Sequence, residues 1–290
     1  MPEHASEKPV DEFKEVVQQA AKAEVSSPPK RRYRTLLFQV ALFSAVAVFA
    51  MLTFLVETTP SFPIDLKITL AIQSISSPFF AGLMRLISWP GFLPQLIIIT
   101  LLIAFLLYTY GLHWESVTSL LAAIFSGVTN ELVKDIIRRP RPTIDLVDVF
   151  AVLKSYSFPS GHVMFYVSFF GFIWYLAYTL LKQSLKRSLL LGFLGGLILL
   201  IGVSRIYLGQ HWASDVLGAY LLGSLLLVGI ILFHQWGKKR FFLRQPVAPH
   251  DSTARFIDAL CDYNGETTPV NNLECKAEEK MACLRIQMVR

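Results

Sequence analysis

The chain has 290 residues, of which 53% are hydrophobic and only 17% are charged, whereas an ordinary soluble domain carries about 25% charged residues. This composition excludes a typical soluble enzyme, leaves no room for a separate large soluble domain and predicts a polytopic membrane protein. The net charge is +6. Because the basic residues lie mostly beside apolar runs, lipid headgroups and membrane topology account for them better than nucleic acid does.

The first 34 residues form a polar N-terminal segment. Apolar side chains at helical spacing between Val10 and Ala21 are compatible with a short amphipathic helix, which would end at Pro28. A basic collar precedes the first apolar run and consists of Lys30, Arg31, Arg32 and Arg34. The first apolar run is longer than the core of a signal peptide, which spans about 7–15 residues, so we expect an uncleaved anchor.

Six apolar runs each approach the ~20 residues that a bilayer requires. We place them near residues 35–57, 92–111, 115–137, 162–181, 188–206 and 212–234. The proline-interrupted stretch 58–91 is semi-apolar and is predicted to form one or two helices that lie in the membrane interface, with a seventh span as the alternative. The predicted fold is therefore an all-α membrane protein, a six-helix transmembrane bundle over residues 35–236, followed by a C-terminal tail over residues 237–290.

The basic residues predict the orientation of this bundle. Clusters at 30–34, 182–187 and 238–244 fall on the same side if there are six spans. By the positive-inside rule that side is the cytoplasm, and both termini are then cytoplasmic. Three cysteines lie in the tail and are predicted to be free thiols, because they match no zinc-binding spacing: Cys261, Cys275 and Cys283.

Three polar clusters stand at span ends on the opposite, extracytoplasmic side of the predicted bundle. They are Lys134-x6-Arg141-Pro142, Pro159-Ser160-Gly161-His162 and Ser204-Arg205-x5-His211-x3-Asp215. Charge at a membrane boundary is costly and marks a functional site by default. Two histidines, a carboxylate and three cations together suit an attack on a phosphate ester.

His211 and Asp215 are four residues apart and would share one face of a helix, with about 5–6 Å between their Cβ atoms. The carboxylate could accept a hydrogen bond from Nδ1 of the imidazole, which would leave Nε2 as a nucleophile. The alternative is an interfacial pair that only caps the helix.

The second cluster precedes an apolar run. Gly161 would allow close approach of an anion to backbone N–H groups at a helix start, and Ser160 could donate a further hydrogen bond. His162 could then protonate the leaving oxygen as a general acid. The alternative is an ordinary turn in which Ser160 caps the helix and His162 lies there by chance.

Three cations, Lys134, Arg141 and Arg205, are candidates to clamp phosphate oxygens. For Arg138 and Arg139 we favour contact with lipid headgroups. A metal site built from His162, His211 and Asp215 would be opposed by the nearby cations, so neither a metal nor a cofactor is predicted. The remaining histidines are assigned no role: His4, His113, His234 and His250.

The three motifs, in this order and at these intervals, resemble the tripartite signature of the phosphatidic acid phosphatase type 2 superfamily over roughly residues 35–236. The resemblance implies a six-span bundle and metal-independent hydrolysis of phosphoesters. It implies that His211, supported by Asp215, attacks phosphorus to give a phosphohistidine, that His162 protonates the leaving group, and that water then releases phosphate. The implied phosphate-binding residues are Lys134, Arg141, Ser160, Gly161 and Arg205.

The first motif departs from animal lipid phosphate phosphatases, which typically have a glycine and a second arginine before the Arg-Pro pair. The stretch 134–142 resembles more closely the bacterial membrane branch, which acts on phosphatidylglycerol phosphate, phosphatidic acid or undecaprenyl pyrophosphate. We therefore expect a lipid phosphatase of a bacterial plasma membrane, with a bilayer lipid as substrate and no nucleic-acid partner. Two alternatives stay open: a phosphotransferase that uses an acceptor other than water, and a lipid transporter whose cluster only binds headgroups.

Overall fold

The computed structural model describes residues 28–59 and 62–242. The candidate amphipathic helix of the N-terminal segment and the three cysteines of the tail lie outside the described residues. The division of the chain at residues 34 and 236 stays a prediction.

Eight helices in the described residues account for the architecture. They are α1 (Pro28–Thr58), α2 (Pro63–Gln73), α3 (Pro78–Ser88), α4 (Leu93–Thr109), α5 (His113–Ile137), α6 (Gly161–Leu180), α7 (Leu185–Tyr207) and α8 (Ala213–Gly237). A 3-10 turn (Trp89–Gly91) joins α3 to α4, and a π-helical turn (Lys238–Phe242) follows α8. No strand occurs in the described ranges, which confirms the all-α prediction.

Five helices are long and apolar enough to cross a bilayer: α1 from Thr35, α5, α6, α7 and α8. Helix α4 coincides with the second predicted span but has only 17 residues, which corresponds to about 26 Å. The protein is thus an integral, multi-pass membrane protein, and the predicted spans correspond to these six helices.

The stretch predicted to lie in the interface folds as the bent pair α2 and α3. Their axes meet at 119°, and each helix has 11 residues, or about 16 Å, too short to span alone. Prolines occupy the first turns of both, where the missing N–H costs no hydrogen bond: Pro63 and Pro78.

Helix α6 is the centre of the bundle. Two thirds of the residues in the most apolar part of α6 are buried, whereas only 6% of those in the corresponding part of α1 are. Residues 163–167, 169 and 170 of α6 belong to the main core cluster, which also includes Met84, Ile87, Ile201 and Val216. The face of α1 that no other helix covers carries large apolar side chains, as expected for a helix that contacts lipid.

Two buried hydrogen bonds fix α3 to this core. The Tyr166 hydroxyl donates to the carbonyl oxygen of Ile87 at 2.6 Å, and the Ser204 hydroxyl donates to that of Met84 at 2.6 Å. The bent pair therefore packs on the bundle through α6 and α7 rather than only covering its surface. This packing brings α3 and the following turn to the end of the bundle where the three motifs meet.

Candidate active site

The three sequence motifs converge at one end of the bundle. Arg141 donates to the main-chain carbonyl of Gln210 at 2.5 Å and contacts His211, which joins the first motif to the third. The backbone N–H of Ser160 reaches the carbonyl oxygen of Asp215 at 3.4 Å, which joins the second motif to the third. Four helix ends and the loop 138–160 therefore contribute to a single site.

The hydrogen bonds of His211 determine its tautomer. Nδ1 lies 2.8 Å from the carbonyl oxygen of Ser157, and Nε2 lies 3.2 Å from Nη1 of Arg141. A carbonyl oxygen can only accept, so Nδ1 carries the proton. The guanidinium can only donate, so Nε2 presents its lone pair. His211 is therefore a neutral imidazole with its nucleophilic nitrogen directed at the cationic group.

The expected direct hydrogen bond from His211 to Asp215 is replaced by this contact with Ser157. The carboxylate lies 3.7 Å from Nδ1, because its oxygens are engaged elsewhere. Oδ2 accepts from the Ser157 hydroxyl at 2.5 Å and from the Trp212 N–H at 2.8 Å, and Oδ1 accepts from Arg139 at 2.5 Å. Asp215 thus acts on His211 through Ser157, and it also satisfies a backbone N–H at the start of α8.

The environment of His211 favours the neutral form. Burial, and then the positive charges of Arg141, Arg205 and Lys134, hold the pKa of His211 well below its usual value of 6.5, although the hydrogen bond to Ser157 acts in the opposite direction. All three candidate phosphate-binding cations therefore lie close enough to His211 to lower its pKa.

The lowered pKa of His211 predicts the acidic limb of the pH profile. The neutral imidazole is the reactive form, so on the acidic side activity is lost as pH falls through the lowered pKa, and the acidic limb of kcat/KM should be centred well below pH 6.5. Initial rates between pH 4 and 8 on a soluble short-chain lipid phosphate would test this. A decline already centred above pH 6.5 would contradict the proposed environment of His211.

Three buried polar atoms of the motifs have no hydrogen-bond partner among the described residues: Oγ of Ser160, Nε2 of His162 and Nε of Arg205. Buried polar groups without a partner are rare and call for an explanation. The Ser160 hydroxyl does not cap α6, which argues against the alternative of a simple N-cap. An oxyanion between these atoms would supply acceptors for the hydroxyl, the guanidinium and a protonated imidazole.

Arg205 is a buried cation without a carboxylate partner in the described part of the chain. It donates to the hydroxyl of Ser88 at 2.6 Å and to the side-chain oxygen of Gln210 at 2.9 Å, both neutral. Only 1% of its surface is exposed. A buried charge is costly unless an opposite charge compensates it, so this position favours an anionic ligand.

Lys134 and Arg141 extend the positive region. Nζ of Lys134 is 3.1 Å from a carboxylate oxygen of Glu131, whose side chain is 65% exposed and so compensates it only in part. Arg141 is held by the main-chain oxygens of Ser155, Tyr156 and Gln210. Main-chain acceptors orient the guanidinium and leave its full charge available to a ligand.

Gly161 is placed by packing as well as by any contact with an anion. A Cβ at this position would lie 2.9 Å from Oδ1 of Asn130. The amide nitrogen of Asn130 in turn donates to the carbonyl of Pro159 at 3.0 Å. Glycine thus lets the turn before α6 approach α5 closely. Asn130 lies in the last turns of the span predicted over residues 115–137, and its contact with Pro159 accounts for a polar residue at this position.

The assignment of Arg139 to lipid headgroups is wrong. Its side chain is fully buried and forms ion pairs with Asp215 at 2.5 Å and with Asp65 at 2.8 Å. Arg138, in contrast, is exposed and ends α5 in a left-handed conformation, with φ of 52°. Asp65 is the only acidic residue in the semi-apolar stretch 58–91, and that isolation was the signal that sequence reasoning could have used.

Gly91 is a further residue of the site that sequence reasoning missed. Its hydrogen atoms face the imidazole of His162, and an added Cβ would lie 2.9 Å from Cγ and 3.0 Å from Nε2 of that ring. The ring is held on another side by Phe92, edge to face, with 5.1 Å between centroids. The 3-10 turn after α3 therefore determines where His162 can lie.

Replacing Gly91 with alanine should displace His162 and lower kcat by about 10²-fold, since a misplacement of about 1 Å costs that much. Gly82→Ala is the matched control, because a Cβ at Gly82 meets nothing within 4 Å. Steady-state kinetics of the two purified variants would decide. Equal kcat values would show that the position of His162 is not set by Gly91.

Among residues 28–59 and 62–242, no group of three His, Cys, Asp or Glu side chains is arranged to hold a metal ion. The metal-free reaction stays a prediction, and it is tested by activity in the presence of EDTA. Loss of activity with EDTA that added divalent cations restore would overturn it.

Comparison with known proteins places the chain in a family. Residues 115–239 match the PAP2 superfamily, and this segment holds all three motifs. The chain is 31% identical over 182 residues to phosphatidylglycerophosphatase B of Bacillus subtilis (strain 168). This alignment covers 61% of this chain and 87% of that protein. The chain is also 32% identical over 112 residues to an undecaprenyl-diphosphatase of Sulfolobus acidocaldarius. This second alignment covers 37% of this chain and 50% of that protein.

The fold is likewise similar to a solved structure. The crystal structure of a transmembrane PAP2-type phosphatidylglycerolphosphate phosphatase from Bacillus subtilis superposes with a TM-score of 0.61 at 27% identity, over 70% of this chain and 98% of that one. The predicted family and enzyme class are therefore confirmed, and a transporter that only binds headgroups is not supported. The chain belongs to the PAP2 superfamily and is an integral membrane phosphatase that hydrolyses phosphate esters.

Proposed function

We propose that the substrate is a phosphorylated bilayer lipid, with phosphatidylglycerol phosphate as the first candidate and phosphatidic acid and undecaprenyl pyrophosphate as the others. The names of the two curated relatives support phosphatidylglycerol phosphate and undecaprenyl pyrophosphate as candidates. The observation that carries the proposal is the buried Arg205 without a carboxylate partner, near a neutral His211. Since this site lies at the end of a bundle of apolar helices, a headgroup could enter it while its chains stay in the bilayer.

The phosphate is bound first. Arg205, Lys134 and Arg141 would each contact phosphate oxygens, and the Ser160 hydroxyl would donate to a fourth acceptor position, with Gly161 contributing its N–H at the start of α6. In the free enzyme Arg141 donates to Nε2 of His211. When phosphate binds, the guanidinium would turn to a phosphate oxygen and leave the lone pair of His211 free.

The first chemical step is then a displacement at phosphorus. Nε2 of His211 forms a bond to phosphorus while the bond from phosphorus to the lipid oxygen breaks, and His162 gives its proton to that oxygen. The imidazole of His211 gains positive charge as it attacks. Ser157, aligned by Asp215, accepts the hydrogen bond from Nδ1 and stabilises that charge.

The second step releases phosphate. Neutral His162 takes a proton from water, the water oxygen bonds to phosphorus, and the bond between phosphorus and Nε2 breaks. Both histidines return to their starting states. An alcohol in place of water would make the enzyme a phosphotransferase, so the acceptor is tested by adding glycerol and measuring glycerol phosphate beside inorganic phosphate.

The His162→Ala variant should distinguish a general-acid role of His162 from a purely structural role. On a lipid phosphate, whose alkoxide leaving group needs a proton, we expect a loss of about 10²–10⁴-fold in kcat. On p-nitrophenyl phosphate, whose leaving group needs no proton, the loss should be much smaller. Equal losses on the two substrates would contradict the assignment of His162 as general acid.

The substrate class is tested with purified protein and a panel of lipids in mixed micelles. Release of inorganic phosphate from phosphatidylglycerol phosphate, phosphatidic acid and undecaprenyl pyrophosphate should be measured in EDTA, with His211→Ala as the blank. We expect at least one lipid to be hydrolysed far faster than a soluble sugar phosphate. The absence of lipid hydrolysis, with soluble esters cleaved, would contradict a lipid substrate.

We also propose that both termini are cytoplasmic and that the site opens on the extracytoplasmic side of a bacterial plasma membrane. The positive clusters at 30–34, 182–187 and 238–244 support this orientation. A membrane-impermeant maleimide should label the tail cysteines in lysed cells but not in intact cells. With Lys154→Cys as the sole cysteine, labelling should occur in intact cells; the reverse pattern would contradict the orientation.

A further inference from the structure

A second polar cluster is centred on Arg139 and adjoins the proposed catalytic residues through Asp215. Its guanidinium bridges two carboxylates, Asp215 on α8 at 2.5 Å and Asp65 on α2 at 2.8 Å. It also donates to the hydroxyl of Ser214 at 2.7 Å. Arg139 and the two carboxylates are buried and lie on three separate parts of the chain.

Arg139 holds Ser157 in two ways. Its main-chain carbonyl accepts from the N–H of Ser157 at 2.9 Å. Its side chain fixes the carboxylate of Asp215, which accepts from the Ser157 hydroxyl at 2.5 Å. The Ser157 carbonyl is the group that contacts Nδ1 of His211. A displacement of Arg139 would therefore displace Ser157 and, through Ser157, the hydrogen bond to Nδ1 of His211.

Asp65 fixes the other side of the cluster. One of its oxygens accepts from the backbone N–H of Ser214 at 2.8 Å, and the other accepts from the Ser214 hydroxyl at 2.5 Å and from Arg139. Ser214 is in the first turn of α8, where backbone N–H groups lack partners within the helix. Asp65 therefore caps α8 from a different helix and joins α2 to the residues that follow His211.

The guanidinium of Arg139 compensates the negative charges of the two buried carboxylates. Without the guanidinium, two buried carboxylates would face one another, and neither could remain ionised without a large cost. Asp215 would then protonate or move, and the hydroxyl of Ser157 would lose its acceptor. Removal of Arg139 should therefore alter the alignment of His211 without removing any group that touches the phosphate.

We propose that Arg139 and Asp65 are positioning residues of the phosphatase reaction, which hold Asp215 and Ser157 so that His211 keeps its reactive tautomer and orientation. This inference rests on the proposed role of His211 as nucleophile. It also gives the bent helix pair a function, since α2 carries the carboxylate that completes the arrangement.

The test compares Arg139→Met with Arg138→Met, its exposed neighbour, in purified full-length protein. For Arg139→Met we expect kcat on a lipid phosphate to fall by about 10²-fold, with KM and the inhibition constant for inorganic phosphate within about twofold of wild type. Arg138→Met should match wild type in all three. Arg139→Lys should recover part of kcat, because it restores a cation without the bridging fork.

Several outcomes would overturn the inference. A folded Arg139→Met variant with the kcat of wild type would show that the cluster only stabilises the fold. A rise in KM and in the phosphate inhibition constant at unchanged kcat would show that Arg139 contacts the ligand. If Arg139→Met does not fold, Asp65→Asn keeps the shape of the side chain and should lower kcat in the same selective way. An inactive wild type would instead refute the proposed function itself.

Discussion

Replacing His211 with alanine is expected to lower kcat by about a thousand-fold or more, because it removes the one protein group that bonds to phosphorus in the proposed reaction. The neutral tautomer, with Nδ1 on the Ser157 carbonyl and Nε2 free to attack, is the geometry that a nucleophile requires. Arg205 and Lys134 do not depend on His211 for their hydrogen bonds. Phosphate binding should therefore persist in the variant.

The measurement is phosphate release from a lipid phosphate, together with protection of the variant against thermal unfolding by inorganic phosphate. His113→Ala is the matched control, since this exposed histidine lies at the opposite end of α5 from Lys134, about 30 Å away along the helix. Retention of wild-type kcat by His211→Ala would end the assignment of His211 as nucleophile. Loss of activity with His113→Ala would show that alanine substitution disturbs the bundle in general.

Replacing Arg205 with methionine should have the second largest effect. We expect kcat/KM to fall by about 10²–10³-fold, the usual consequence of removing one preorganised donor to a developing oxyanion. Both of its protein partners, Ser88 and Gln210, would lose a donor as well. Because the cation lacks a carboxylate partner in the described residues, its removal should not leave an unpaired acid behind.

Competitive inhibition by orthovanadate, which imitates the transferring phosphoryl group, would check this expectation alongside kcat/KM. Lys154→Met serves as the control, since Lys154 is an exposed cation of the loop between α5 and α6. The inhibition constant for vanadate should rise strongly in Arg205→Met and stay unchanged in Lys154→Met. Similar small changes in both variants would mean that Arg205 contributes only to the general positive potential.

The spans and motifs could be predicted because both follow from local physical constraints. A bilayer requires about 20 apolar residues to cross it, so each run was visible in the sequence. Polar residues such as Lys134 and Arg205 stood out for the same reason, since an apolar helix does not tolerate them without a function. Helix α4 fell at the lower limit of length, and its apolar composition still revealed it.

The contacts that orient the site could not be predicted, because the contacting residues are distant in the chain or contribute a backbone group that any residue could provide. Arg139 follows a span, as a headgroup contact would, and its partner Asp65 is 74 residues earlier in the chain. The acceptor for His211 is a backbone carbonyl, which any residue could provide at position 157. Gly91 matters only because α3 packs on α6 and brings the following turn against His162.

The difference between expectation and structure at Asp215 has the same origin. Spacing of four residues predicted that His211 and Asp215 would meet, and they do approach to 3.7 Å. The competition from Ser157, Trp212 and Arg139 for the carboxylate oxygens was not visible in the sequence. Because of this competition, Asp215 is connected to His211 through Ser157 rather than by a direct hydrogen bond.

The proposed mechanism requires that phosphorus becomes bonded to His211 during turnover. Mixing His162→Ala enzyme with p-nitrophenyl phosphate that carries radiolabelled phosphorus, stopping the reaction under alkaline conditions that preserve phosphohistidine, and sequencing the labelled peptide would test this requirement. The nitrophenolate leaves without a proton, so His211 can still be phosphorylated, whereas the release of phosphate lacks its general base. We expect label on His211 alone, which appears before free phosphate and is absent from His211→Ala. Label on another residue, or phosphate release without a labelled protein under conditions that preserve phosphohistidine, would contradict it.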